Sequence, residues 1–474
     1  MGDSDFSKNR DEWKRLMTSG EYIKAEKLYW ERMFPHIEKR FVGDVERRKL
    51  KGEIESYDCL IIPGGLWDIY YILLIKALKP KFVYFIFTKE GERHFLDNIL
   101  EKTGLSRNQY ILDVIEYRGM DVTDVYERVK SKLNLFEGKK VALDITQGKR
   151  VMAVGAGIVG AFFNFDLVYV DEDWMDELKR GVPGTEELVR VKNPFEVFGD
   201  LKQQQSIMLF NRYDYSAATT LFSDLLNKVK DPREFEIKML IADTYNYWDA
   251  FNYNAALSKL ERAVSKIRQY DFKSFDRERM EKNLQILKKL AKVKENFISF
   301  LKDKDLVLHF LMDMYMNALR RKKLNRLEDA VIRMYRCLEV VSQHRLALKG
   351  VDSKRPDFSK MPDILEKYGR LTKEMYGIKK KALPNEIGIK DGHLILFLLQ
   401  DELWKGTSET DLKKFLGPIR LRDNSIIAHG NELIGEKAFD TINKTCKHMI
   451  LRLCQIYKKD FKTITDYHTF IELG

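Results

Sequence analysis

Cysteine is scarce and scattered. Four residues in 474, Cys59, Cys337, Cys446 and Cys454, offer neither a zinc knuckle nor a close redox pair, which excludes a disulfide-built fold and suits a reducing cytoplasm. Long apolar runs are missing as well. The longest, Ile69 to Ile75, sits between Asp68 and Lys76, far short of the ~20 residues that span a bilayer, so no membrane partner is expected. The opening M-G-D-S-D-F is followed by no secretory apolar core and lacks the hydroxyl residue at position six that a myristoyl signal wants. Two glycine-rich patterns are incomplete. Gly148-Lys149 runs into Arg150 without the Ser or Thr and the upstream Gly of a P-loop. Gly155-Ala-Gly157-Ile-Val-Gly160 has dinucleotide spacing but falls well after its strand, so its glycines read as small residues packing a helix against a sheet. No helix-turn-helix with a basic recognition helix appears near the C-terminal end, which argues against a transcription regulator.

What is present is a long, folded, basic chain. A hydrophobic fraction of 44% and 474 residues allow two to four domains, each with its own core. A net charge of +11 and a pI near 9.1 favour a polyanionic partner, nucleic acid or nucleotide.

Hydropathy patterning divides the chain. Residues 5 to 45 read as amphipathic helices, with Trp13, Leu16, Tyr22, Ala25, Leu28 and Tyr29 at helical spacing. From Ser56, apolar strands alternate with helices: strands are expected at 57–62, 81–88, near 111–117, at 139–146 and at 166–171, with a turn at Pro63-Gly64-Gly65. That alternation predicts a parallel, Rossmann-like sheet. After Asn193-Pro194 strand signals stop and the rest reads as helix. Tyr215-x-x-Ala218-x-x-x-Phe222 and Tyr253-x-x-Ala256-x-x-x-Leu260 repeat at 38 residues, with a looser copy at Tyr22, Ala25 and Tyr29, as in tetratricopeptide-like hairpins. Their aromatics are expected in a core rather than on a base-stacking platform. The charged stretch 270–304 reads as a solvated helix, and Lys349 to Lys381 includes a polar, proline-bearing loop. The expected architecture is α/β plus all-α: a helical hairpin over 1–50, a Rossmann-like domain over 51–193, a helical connector over 194–304 and a helical domain over 305–474.

In parallel sheets ligands sit at the carboxyl ends of strands. The candidate ligand residues are therefore Gly64 and Gly65 after the first strand, Thr88 after the second, and Thr146, Gln147, Gly148, Lys149 and Arg150 after the fourth. Backbone amides at a helix start, with a hydroxyl and a cation, suit phosphates.

Near the other end, Pro418 to Gly430 reads P-I-R-L-R-D-N-S-I-I-A-H-G. Arg422 and His429 are seven apart, about two turns, so a single helix would place both on one face with Asn424 nearby. Of the eight histidines only His429 follows an arginine by five to seven residues. A guanidinium can neutralise charge growing on a phosphate while an imidazole moves a proton at neutral pH, a pairing suited to phosphodiester cleavage without a metal.

The segment R-D-N-S-I-I-A-H-G resembles the R-x4-6-H motif of HEPN ribonucleases, and Ala330 to Glu339 (A-V-I-R-M-Y-R-C-L-E) resembles an earlier helix of that domain. The loop D-I-T-Q-G-K-R-V-M resembles the D-x-T-x-G-x-K-x-M loop of CARF domains, with either Lys149 or Arg150 in the basic position. Together, and in this order, the segments resemble the CARF-HEPN ribonucleases of type III CRISPR systems. The resemblance implies a cytoplasmic homodimer that binds a cyclic oligoadenylate activator across two CARF domains and cleaves single-stranded RNA at a composite HEPN site, with no metal or cofactor. Arg422 and His429 would be catalytic there, with Asn424 orienting. The residues also fit a non-catalytic, nucleotide-sensing adaptor in which Arg422 and His429 only cap and pack a helix.

Overall fold

The computed structural model describes residues 3–64, 67–116, 120–294, 297–359, 361, 363–423 and 434–474. They belong to two compact units, Met1–Gly199 and Asp200–Gly474.

In the first unit, β1 (Cys59–Gly64), β2 (Phe82–Thr88), β3 (Tyr110–Ile115), β4 (Val141–Asp144) and β5 (Asp166–Asp171) run parallel in the order β3-β2-β1-β4-β5. β6 (Trp174–Met175) and β7 (Arg180–Gly181) form a separate hairpin, and β8 (Glu187–Val191) closes the sheet antiparallel to β5. The five strands expected from the sequence run parallel, and β8, which was not expected, makes the six-stranded sheet mixed. Between β5 and β8 the chain makes no crossover helix, and without one a neighbouring strand returns antiparallel. β1 also runs through Pro63 and Gly64, where a turn was expected. Its pairing to β2 continues to Gly64, whereas β4 pairs only with Cys59 to Ile61, so the missing Pro63 N–H lies beyond that ladder.

Strand alternation splits the core into two layers. Leu60, Ile62, Val83, Phe85 and Phe87 pack with α1 (Asp3–Thr18), α2 (Tyr22–Leu28), α3 (Phe34–Leu50), α4 (Ile69–Leu78) and α5 (Lys89–Thr103). Cys59, Ile61, Tyr84 and Ile86 point the other way, onto α6 (Val122–Lys130) and α7 (Arg150–Phe163). Between α2 and α3, Tyr29–Met33 winds as a wider π turn just ahead of Pro35, whose ring nitrogen cannot donate to an ordinary helical bond. Two of the three α7 glycines, Gly155 and Gly160, act as packers. A Cβ at Gly155 would stand 2.7 Å from the Val122 carbonyl, and one at Gly160 2.2 Å from Leu167. A short helix, α8 (Pro194–Phe198), ends the unit.

The described part of the second unit is helical: α9 (Asp200–Asn211), α10 (Tyr215–Leu226), α11 (Arg233–Asp249), α12 (Tyr253–Tyr270) and α13 (Arg277–Leu290), then α14 (Phe297–Lys302), α15 (Lys304–Lys323) and α16 (Leu327–Leu348). α17 (Ile364–Tyr376), α18 (Ile389–Leu398), α19 (Glu409–Asp423), α20 (Glu436–Ile456) and α21 (Phe461–Tyr467) follow. The 38-residue repeat is realised as two helices capped alike: Asp214 accepts from the Ala217 N–H and Asn252 from the Ala255 N–H. Tyr215, Ala218, Phe222, Tyr253, Ala256 and Leu260 are all buried, but Tyr22 of the looser copy is exposed. After the polar, proline-bearing stretch that opens Lys349 to Lys381 comes α17, whose Ile364, Tyr368, Leu371 and Met375 form a buried stripe. All four cysteines are free and buried. Among the described residues no helix is long and apolar enough to cross a membrane.

Candidate functional site

β4 ends in Asp144, which is fully buried. Its Oδ1 accepts both the N–H and the hydroxyl of Thr146, and the same hydroxyl accepts the Val170 N–H of β5 at 3.0 Å. Thr146 is thus spent on holding its loop across two strands. Burial pushes the Asp144 carboxyl up to about 7, against the pull of the Thr146 bonds. Gly148 follows with φ +106°, a conformation open to glycine, and a Cβ there would come within 3.3 Å of the Pro63 carbonyl. The loop after β4 therefore meets the carboxyl end of β1. Lys149 occupies the N-cap position of α7 in extended conformation without a capping side-chain bond, and Arg150 is exposed on the first turn. That leaves a 14-residue helix whose first amides are not closed by a cap, beside a glycine turn.

Gln147 and Thr146 border a cavity of about 330 Å³, also lined by Tyr70, Glu172, Trp174 and Arg180. The Gln147 Oε1 is buried without a hydrogen-bond partner, an orphan facing a polar space. Tyr70 donates to Glu172 at 2.6 Å, and burial raises the Glu172 carboxyl above its ordinary range. Glu172, Trp174 and Arg180 were not anticipated. They flank strands two residues long, too short for any periodic signal.

The remaining ligand candidates serve the scaffold where the structure describes them. Thr88 is buried and caps α5 by accepting the Gly91 N–H at 3.1 Å. Gly64 admits Tyr71, since a Cβ would fall 2.1 Å from the Tyr71 hydroxyl oxygen. Gly65 lies outside the described residues.

In the second unit, α15, α16 and α20 pack around one apolar core. On α19, Leu412, Phe415, Leu416 and Ile419 form the buried stripe, despite Pro418 inside the helix. Tyr335 of α16 donates its hydroxyl to the Pro418 carbonyl at 2.7 Å. That bond ties α16, within the resembling segment 330–339, to α19 at Pro418. Arg336 and Glu339 pair along α16 at 2.6 Å, with Gln343 at 3.4 Å. Arg422 stands in the backbone of α19, three residues past Ile419; Asn424 and His429 lie outside the described residues. Among the described residues no group of His, Cys, Asp and Glu is arranged to hold a metal ion.

Comparison with known proteins gives three findings. Residues 198–293 match the family model described as the Csm6 6H domain, and residues 298–453 the one described as the Csm6 HEPN domain. The CRISPR system endoribonuclease Csm6 of Thermus thermophilus is 26% identical over 394 residues, covering 80% of this chain and 82% of that protein. The structure of Enterococcus italicus Csm6 bound to cyclic hexa-2'-fluoro-hexa-dAMP aligns with a TM-score of 0.49 at 12% identity, covering 88% of this chain and 98% of that one.

Proposed function

The chain belongs to the Csm6 family of CARF-HEPN proteins, and on that premise we propose that it is an endoribonuclease of type III CRISPR defence, activated by a cyclic oligoadenylate on its first unit. The observation that carries this reading is the position of the R-x6-H segment, Arg422 to His429, inside the stretch matched by the HEPN model. The helix that carries Arg422, α19, is tied to the other resembling segment by Tyr335 and Pro418.

In this mechanism Arg422 binds the scissile phosphate and offsets charge that grows on its oxygens, Asn424 orients the phosphate or Arg422, and His429 moves the proton. The 2'-hydroxyl of the RNA is the nucleophile. It attacks the adjacent phosphorus, the 5'-oxygen leaves and takes a proton, and the product carries a 2',3'-cyclic phosphate. No metal takes part. Single strands are preferred because their backbone can turn for in-line attack. Two chains form the dimer, and two R-x6-H segments share one site.

The activator binds where the loop after β4 meets the carboxyl end of β1. Support comes from the α7 N-terminus without a capping side chain, the Gly148 turn and the orphaned Gln147 oxygen. Lys149 or Arg150 supplies charge. The ligand activates only in so far as it binds the active arrangement more tightly than the resting one.

The test is cleavage of a fluorescent single-stranded RNA in EDTA, with and without cyclic tetra- or hexa-adenylate, in the native chain and in His429→Ala. Ligand-stimulated cleavage lost in the variant is expected. A folded protein that cleaves under no ligand would overturn the nuclease in favour of the adaptor, and loss of cleavage in EDTA would overturn metal independence.

A further inference from the structure

A cavity of about 430 Å³ in the second unit is walled by α13, α15, the turn after α20, and α21. Two of its lysines share one counterion: Lys289 of α13 and Lys459 of the turn reach the Asp305 carboxylate at 2.7 and 3.2 Å. The exposed Lys458 adds a third ammonium. The other lining carboxylate, Asp460, accepts from the N–H and the hydroxyl of Thr463. Three ammonium groups against two carboxylates leave the walls net positive, which favours an anion.

His309 decides which anion. It lines the cavity yet is only 6% exposed, and it ends a buried chain of polar groups. The Asp313 carboxylate, which accepts from the Trp248 indole and the Tyr253 hydroxyl, lies 3.6 Å from the His468 Nδ1. The His468 Nε2 in turn lies 3.3 Å from the His309 Nδ1. A carboxylate favours the imidazole proton on the nitrogen that faces it, so His468 carries its proton on Nδ1 and accepts on Nε2 from the His309 Nδ1–H. That tautomer leaves the His309 Nε2 a bare acceptor. The Asp305 carboxylate stands 4.0 Å from it, beyond hydrogen-bond reach, and among the described residues nothing donates to it. Burial and the neighbouring His468 hold the His309 imidazole down at about 4, so the ring stays neutral at neutral pH.

Ammonium groups beside one neutral acceptor suit an anion that still carries a proton. Phosphate monoesters, with a second pKa of about 6, and inorganic phosphate keep a P–O–H near neutral pH, whereas sulfate and phosphodiesters have none. We infer that this cavity binds a protonated phosphate group, its charged oxygens on Lys289 and Lys459 and its P–O–H donated to the His309 Nε2. The internal linkages of RNA and of a cyclic oligoadenylate are diesters, so this site is separate from the nuclease and activator sites. The phosphate belongs either to the inorganic ion or to a small monoester, whose organic part would lie on Ile286 and Ile464 of the cavity wall.

The experiment is calorimetric titration of the full chain near pH 6.5, where a monoester keeps part of its proton, with inorganic phosphate, ribose 5-phosphate, dimethyl phosphate and sulfate at constant ionic strength. It is repeated in Lys289→Ala and His309→Gln, with circular dichroism melts to show that each variant is folded. Inorganic phosphate is expected to bind, and sulfate and dimethyl phosphate at least about tenfold more weakly, because they leave the buried acceptor unpaired. Lys289→Ala, an exposed position, should weaken phosphate on the order of tenfold. His309→Gln should narrow the gap between phosphate and sulfate. No binding of phosphate, equal binding of phosphate and sulfate by the native chain, or phosphate binding unchanged in folded Lys289→Ala overturns the site. With the site upheld, tighter binding of ribose 5-phosphate than of phosphate assigns it to an organic monoester, and equal or weaker binding to the inorganic ion.

Discussion

Phe470 lies flat on Tyr245, ring centres 4.0 Å apart and planes 3° from parallel. The Arg320 guanidinium sits 4.0 Å from the centre of the Phe470 ring, so one aromatic joins α11 to α15. Around it the backbone is sewn in. Ile471 N–H donates to the Tyr245 hydroxyl, Asn283 donates to the Tyr467 and Thr469 carbonyls, and Asn211 and Leu473 exchange two bonds. The segment 467–473 thereby spans the stretches matched by the 6H and HEPN models. Phe470→Ala should cost about 2–3 kcal/mol, below the range for a fully buried phenylalanine because this ring is half-buried. Denaturant midpoints of the two proteins check it; an unchanged midpoint would show that the strap carries no load.

Gly64→Ala should destabilise the first unit by about 1–3 kcal/mol, because its methyl would meet the fully buried Tyr71 and force either the ring or β1 to shift. Gly157→Ala serves as a control on the other sheet face, since nothing stands within 4 Å of a Cβ there. It should be neutral or slightly stabilising, as Ala exceeds Gly in helix propensity.

The two units should respond to pH in opposite senses. Burial holds His309, His344 and His393 of the second unit down at about 4, against about 6.5 unfolded. Between those values the unfolded chain binds more protons, so this unit loses stability as pH falls from 6.5 to 4, by at most about 3 kcal/mol per histidine. In the first unit Asp144 and Glu186 are pushed up to about 7 by burial, against about 4 unfolded. Their contribution is full below pH 4 and is lost as pH rises to 7. Pulse proteolysis with fragment mass spectrometry across pH 4–8 reads both slopes. Parallel slopes would contradict the assignment.

Arg345 forms a forked pair with Asp401, Nε to Oδ1 at 2.8 Å and Nη2 to Oδ2 at 2.9 Å, with both side chains buried. Removing Asp401 leaves the buried guanidinium leaning on the largely exposed Glu402 carboxylate at 3.0 Å, so Asp401→Ala should cost about 3 kcal/mol and lower the melting temperature of the second unit.

Arg422→Lys keeps the positive charge but loses the planar fork that can hold two phosphate oxygens. RNA turnover should fall on the order of 10²-fold with the melting temperature unchanged. Turnover at the native level would remove Arg422 from the mechanism.

Several of these features were legible without coordinates. The strands at 82–88 and 166–171 and the glycine packing of α7 follow from runs of apolar or small residues whose spacing is local information. The buried repeat at Tyr215 and Tyr253 was legible for the same reason. The R-x6-H segment could be named from its residues, though Asn424 and His429 lie outside the described residues.

By itself, the sequence determined the strands β2, β4 and β5 and the buried faces of α10 and α12, because dihedral preference and side-chain period act over a few neighbours. Tertiary structure alone decided the antiparallel direction of β8, the bond from the Val170 N–H to Thr146 across two strands, and the meeting of Arg180 with Trp13 and Trp67. Those contacts join residues far apart in the chain, and they are selected by the simultaneous packing of whole layers, a condition that no local pattern encodes.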